Sequence, residues 1–113
     1  MPFEIKHPIT GGILQVADND FPSKMNWNDA ISACQNLGND WRLPSLEELT
    51  AMHEQLHKQG KGNFKDESYW SNSEYDADDA WSFYFFDGQA YYDSGLYNGK
   101  TLLSRQVRAV REF

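Results

Sequence analysis

The stretch Trp81-Ser82-Phe83-Tyr84-Phe85-Phe86 most restricts what this chain can become. Successive side chains of a strand point to opposite faces, so Trp81, Phe83 and Phe85 fall on one side and Ser82, Tyr84 and Phe86 on the other. Asp87-Gly88 follows, a pair that accepts positive φ, and Ala90-Tyr91-Tyr92 resumes the strand pattern. Together they predict a hairpin. With a two-residue turn at Asp87-Gly88, Phe86 opposes Gln89, Phe85 opposes Ala90, Tyr84 opposes Tyr91 and Phe83 opposes Tyr92. Trp81, Phe83, Phe85, Ala90 and Tyr92 are then core. Tyr84, Phe86 and Tyr91 form a second aromatic face with no structural duty of its own.

At 113 residues the chain makes one domain, residues 1–113, large enough for a real core. One cysteine excludes an internal disulfide framework. No apolar run approaches the roughly 20 residues of a membrane span, which argues against membrane insertion. Met1-Pro2-Phe3-Glu4-Ile5-Lys6 lacks the apolar core of a secretory signal. A net charge of −7 argues against nucleic acid, whose phosphates are bound by lysine and arginine. Eight carboxylates and no lysine or arginine lie between Asp66 and Asp93, so the rest of the chain sums to about +1. The acidic window coincides with the aromatic one. Acidic loops that merely keep an aromatic domain in solution are the plainer explanation of that coincidence.

Phe3-Glu4-Ile5 and Ile13-Leu14-Gln15-Val16 read as short strands, and Asp18–Lys24 as a loop. Asn26 is placed to cap a first helix with Trp27, Ala30, Ile31, Cys34 and Leu37 on one stripe and Gly38 after its end. Cys34 on that stripe reads as a buried, inert thiol. Ser45 and Glu48 form a capping box for a second helix, buried through Leu46, Leu49, Met52 and Leu56. Tyr69–Ser73, Thr101–Leu103 and Val107–Arg111 read as further strands, with a tight turn at Asn98-Gly99.

His53-Glu54-Gln55-Leu56-His57 fits H-E-x-x-H, in which two histidines hold zinc and the glutamate activates a water. Asn63 at the third-ligand position is a poor zinc ligand, and the helix stripe already explains the segment. Two surface histidines one turn apart is the better account. No paired acid and base, nucleophile or phosphate loop is visible elsewhere, so a non-enzymatic role is expected.

Trp27…Cys34…Leu37, Trp41-Arg42-Leu43-Pro44 with Glu48-Leu49, Tyr69-Trp70-Ser71-Asn72-Ser73, Ala80-Trp81 with Phe85 and Gly88, and Val107-Arg108-Ala109-Val110-Arg111 occur in that order. The combination, over about residues 25–111, resembles the bacterial domain at the C-terminus of collagen-like adhesins, a domain of unknown function with a C-type lectin-like fold. The resemblance implies an α+β architecture: two helices flanking small antiparallel sheets, with first and last strands paired and the termini close. It implies that Trp41, Trp70 and Trp81 are core, and that the domain is cell-surface, secreted or phage-associated. It also implies a role in adhesion or in binding a protein or glycan ligand.

Two functions compete. In the first, a non-catalytic binding module uses Tyr84, Phe86 and Tyr91 with Asp93, Tyr97 and Asn98; tyrosine, asparagine and glycine suit recognition surfaces. In the second, the same hairpin is the interface of a homo-oligomer. A neighbouring strand, loop or protomer covering these rings is the structural alternative to a site. Asp76, Asp78 and Asp79 offer hard oxygen ligands for calcium, without the rest of a dedicated calcium loop; no other cofactor is indicated.

Overall fold

The computed structural model describes residues 1–92 and 99–112. Strands β1 (Phe3–Lys6), β2 (Ile13–Val16) and β6 (Val110–Glu112) form one antiparallel sheet in the order β1-β2-β6. A second antiparallel sheet, in the order β3-β4-β5, contains β3 (Ser68–Glu74), β4 (Ala80–Tyr84) and β5 (Gln89–Tyr91). Helices α1 (Trp27–Asn36) and α2 (Leu46–Gln55) pack against them, with a 3-10 turn at His57–Gln59 and a four-residue α3 at Gly99–Leu102. The class is α+β. The first and last strands share a sheet but do not pair: β2 lies between them, bonded to both.

Local chemistry sets both long helices. Asn26 Oδ1 accepts from Asp29 N at 2.9 Å and opens α1. Ser45 Oγ accepts from Glu48 N at 3.1 Å while Glu48 Oε1 accepts from Ser45 N at 2.9 Å, which completes the capping box of α2. Trp27, Ala30 and Cys34 carry α1 into one core with Leu43, Trp70, Ala80, Val107 and Ala109. Leu49, Met52 and Leu56 carry α2 into another, with Ile5, Leu14, Val16, Tyr69, Phe83, Phe85 and Val110. Strand β3 lies between the cores: Tyr69 faces one and Trp70 the other. Each buried indole N–H finds a carbonyl, Trp27 at Ser71 O and Trp70 at Met25 O, both at 2.8 Å. Trp41 and Trp81 are half-buried rather than core.

Three further expectations about local elements fail, each for a non-local reason. Thr101–Leu103 is no strand; Gly99–Leu102 is helical and carries Lys100 inward, where its ammonium donates to Glu74 Oε1 and Ala77 O. Strand β6 starts only at Val110; before it Val107, Arg108 and Ala109 are all buried, and Val107 O and Ala109 O accept from Phe21 N and Ala17 N of the loop after β2. Among them Arg108, 0% exposed, donates through Nε to Asp20, through Nη1 to Ala17 O and Gly62 O, and through Nη2 to Asn63 O. Leu37 also leaves the α1 stripe and stands in solvent.

The third concerns the hairpin. Its connection is Phe85–Gly88, closed by Gly88 N donating to Tyr84 O at 2.8 Å, and the ladder pairs Tyr84 with Gln89, Phe83 with Ala90 and Ser82 with Tyr91. Phe85 leaves the β4–β5 ladder to enter the core, its ring 4.6 Å from those of Phe64 and Tyr69. Gly88, at φ +70°, passes so close to His53 that a Cβ would lie 2.8 Å from the imidazole. The register is displaced by two residues, an even number, so the faces are preserved. The far end of the inner face nevertheless escapes the core: Ala90 is exposed, and Trp81 and Tyr92 are half-buried in a cluster with Tyr75. Ser82, expected outside, is buried and donates to Tyr91 O.

Removing one partner of a buried ion pair typically costs about 3–5 kcal/mol, so Arg108→Met should lower the unfolding free energy by that order in a urea titration. Arg108→Lys should recover little, because an ammonium cannot reach the same four partner residues in two loops. Burial pushes the Cys34 thiol up to about 12. Cys34 should therefore resist a thiol-specific reagent in the native chain at neutral pH and react fully in denaturant.

Candidate functional site

Strand β4, held on β3, points Phe83 into the core and leaves Tyr84 half-buried, and the connection after it turns Phe85 inward and leaves Phe86 69% exposed. Tyr91 on β5 is 46% exposed. The three rings gather on one surface: Tyr84 lies 5.8 Å from Phe86 and 6.3 Å from Tyr91, centroid to centroid. The phenol of Tyr91 donates to Asp87, which also accepts from Gln89 N. That hydrogen bond raises the Tyr91 phenol, which stays a donor, and it fixes the ring. Asp93, Tyr97 and Asn98, the remaining candidates, lie outside the described residues.

Tyr84 also lines two adjoining depressions of about 320 and 330 Å³. One is formed with Lys24, Asp66, Glu67, Ser68, Ser104 and Arg105, the other with Ser68, Tyr91, Tyr92 and Arg105. Ser68, Tyr84 and Arg105 are common to both. Lys24 is paired with Glu67 at 2.6 Å, and the Arg105 guanidinium lies 5.0 Å from the Trp70 ring centroid, so the charged lining is held in place. A surface of this kind can stack a flat apolar face on tyrosine and meet polar groups with serine, carboxylate and guanidinium. The hairpin pattern pointed to Tyr84 and Tyr91. Nothing in the local sequence pointed to Lys24 or Arg105, which arrive from distant segments.

The loop proposed for calcium is satisfied from within. Asp76 Oδ1 accepts from Asp78 N at 2.9 Å and Asp79 N at 2.8 Å, and Asp79 Oδ1 accepts from Gly99 N at 3.2 Å. Glu74 and Ala77 O face the Lys100 ammonium, itself 4.6 Å from the Trp27 ring centroid. An internal cation and backbone amides thus meet oxygens that a metal would need. In the H-E-x-x-H segment, His53 Nε2 is 3.1 Å from Phe85 O and His57 Nε2 is 2.8 Å from Asp66 Oδ1. Both rings are partly buried against Phe85, so they are packing residues more than surface ones.

Among the described residues, three metal-type ligand atoms converge at His7, Glu48 and Glu112. His7 Nδ1 accepts from Ile9 N at 3.1 Å and Thr10 N at 3.2 Å, so the ring proton sits on Nε2 and is donated to Glu48 Oε2 at 2.7 Å. A metal on Nε2 would have to displace that proton while Nδ1 faces two donors. Arg42 already supplies the positive charge, bidentate to Glu48 at 2.7 Å and reaching Glu112 at 3.0 Å. This is an ion-pair latch, and the donor set does not fit a metal.

The architecture is therefore a small α+β domain with two three-stranded sheets and an exposed aromatic hairpin face. The chain belongs to the Lcl C-terminal domain family, whose model matches residues 10–111. Among curated proteins none matches the chain.

Glu48 is 2% exposed, and burial by itself would raise its carboxyl; the Arg42 and Ser45 hydrogen bonds, the Arg42 charge and His7 outweigh that and hold it at about 2. The folded value lies below the ordinary 4.5, so its stabilisation is present above that pH and is lost as pH falls through about 2. The span corresponds to on the order of 3 kcal/mol. Urea midpoints measured from pH 6 down to pH 2 should fall accordingly, and Glu48→Gln should flatten that limb of the profile while lowering stability at pH 6.

Proposed function

We propose that this chain is a non-catalytic ligand-binding or adhesion module whose contact surface is the outer face of the hairpin, Tyr84, Phe86 and Tyr91. The reading extends to a C-type lectin-like fold of the kind found at the C-terminus of collagen-like adhesins, with a protein or glycan as ligand. The observation that carries it is the exposure of Phe86 and Tyr91 beside Tyr84 while Phe83 and Phe85 fill the core. At roughly 150–250 Å² per aromatic, the exposed parts of Phe86 and Tyr91 with the rim of Tyr84 approach the few hundred Å² at which an apolar patch acquires meaning. The adjoining depressions extend that patch with fixed polar groups, as recognition surfaces require.

A second reading, self-association through the hairpin, is favoured by one observation. Strand β5 is exposed along its length and, among the described residues, pairs on one edge only, which leaves an edge open to another strand.

Both readings are tested with the intact chain and the double variant Tyr84→Ala/Tyr91→Ala. On glycan and protein arrays, with calcium or with chelator, the native chain should bind and the variant should lose at least 10-fold in signal. The melting temperature should fall by no more than a few degrees, because Tyr91 is exposed and Tyr84 lies at the edge of the core and not in it. A large fall would assign the rings to the core. A native oligomer in sedimentation that dissociates in the variant would instead favour self-association.

A further inference from the structure

At the far end of the inner hairpin face, three rings stand outside both cores: Trp81 and Tyr92 are half-buried, and Tyr75 is 45% exposed. Tyr75 follows β3, where its N–H donates to Asp79 O at 2.9 Å. Tyr92 follows β5, one residue beyond the pair of Ser82 with Tyr91. Trp81 on β4 meets both rings edge-on, its centroid 5.7 Å from that of Tyr75 and 4.8 Å from that of Tyr92. Three neighbouring segments thus hold the group together.

Tyr75 and Tyr92 lie face to face, with 3.7 Å between centroids and 11° between planes. Ring quadrupoles favour offset or edge-on pairs at about 4.5–7 Å, so this pair is closer and flatter than ring attraction alone selects. The hydroxyls share one end of the stack: the Tyr92 phenol, as hydrogen-bond partner, raises the Tyr75 phenol. Stacked planes with adjacent hydroxyls set the carbons ortho to one hydroxyl over those ortho to the other. The other described tyrosines lack this arrangement. Tyr69 is buried with its hydroxyl on Asp20, and Tyr84 and Tyr91 lie 6.3 Å apart at 69°.

We propose that Tyr75 and Tyr92 are a cross-linking site, joined as dityrosine by hydrogen peroxide acting through a haem peroxidase. Each phenol gives up one electron and one proton to the oxidised peroxidase, leaving two phenoxyl radicals. A carbon–carbon bond forms between their ortho carbons, and the hydrogen on each of those carbons returns to a phenol oxygen. Two phenols and one hydrogen peroxide give one dityrosine and two waters. The reacting carbons are already in contact, so coupling within the chain outruns encounter between chains. The new bond ties the end of β3 to the end of β5 across β4. The inference does not rest on the binding reading, although Tyr92 also lines the depression beside Tyr84.

The test treats the intact chain with a plant haem peroxidase and hydrogen peroxide. The products are read by dityrosine fluorescence, gel mobility, intact mass and peptide mapping. The monomer band should gain dityrosine fluorescence and lose the mass of two hydrogens, and mapping should join Tyr75 to Tyr92. Tyr75→Phe and Tyr92→Phe, which keep the ring and remove the phenol, should each lower monomer fluorescence at least about 10-fold, the scale of losing a preset contact. Circular dichroism should show both variants folded as the native chain is. Dityrosine confined to covalent dimers, a bond mapped to other tyrosines, monomer fluorescence that persists in Tyr75→Phe, or no dityrosine at all would overturn the inference.

Discussion

The fold depends on a guanidinium taken wholly out of water. Burying an unpaired charge costs several kcal/mol, so Arg108 is tolerable only while its donors are all met. They are met by Asp20, Ala17 O, Gly62 O and Asn63 O, contributed by two loops distant in sequence. The loop at Gly62, φ +94°, is shaped for this: a Cβ there would strike the Phe64 ring, over which Arg108 stacks at 4.1 Å. Asp20 passes the constraint on to the Tyr69 hydroxyl, and Tyr69 pairs with Phe83 in the β3–β4 ladder. A shift in either loop would therefore leave a charge unpaired in the core and loosen the inner face of the hairpin. The Glu48–Arg42–His7–Glu112 latch does similar work at the first sheet, joining β1, α2 and β6.

With the inner face fixed from behind, Phe86 and Tyr91 of the outer face stand exposed, while Ser82 is buried and Tyr84 half-buried. Among the described residues, Phe86 makes its ring contact with Tyr84. On the proposed binding reading this division would be useful, since rings held in place before contact lose less entropy on it.

What could be read from the sequence was local. Asn26, Ser45 and Glu48 act within four residues, so both helix starts were legible. The parity of residues 81–86 was legible too, and it survived a wrong turn because the register moved by two. The turn itself was not, because Phe85 is drawn in by Phe64 and Tyr69, and Gly88 answers to His53. Thr101–Leu103 has strand composition, yet Lys100 must reach Glu74 and Ala77 O, and that long-range demand selects a helix. Glu48 and Arg108 show the same limit to different degrees. For Arg108 nothing local marks the burial, because all its hydrogen-bond partners lie 45 or more residues away; Glu48 has Ser45 and Arg42 close by in sequence, and only His7, 41 residues off, is hidden from a local reading.

The acidic window shows how such partners change a functional argument. Counted in sequence, residues 66–93 are a block of uncompensated carboxylates. In three dimensions Asp66 meets His57, Glu67 meets Lys24 and Glu74 meets Lys100, while Asp76, Asp79 and Asp87 accept hydrogen bonds from their own neighbourhood. All three of these partners, His57, Lys24 and Lys100, come from outside the window, which no windowed sum can register. Opposite charges at these distances cancel much of each other's field beyond a few ångströms, and salt screens what remains. The surface that Tyr84, Phe86 and Tyr91 present is thus less a negative rim than an apolar patch beside fixed dipoles and paired ions. Selection on it would rest on shape and hydrogen-bond placement, with net charge a lesser influence.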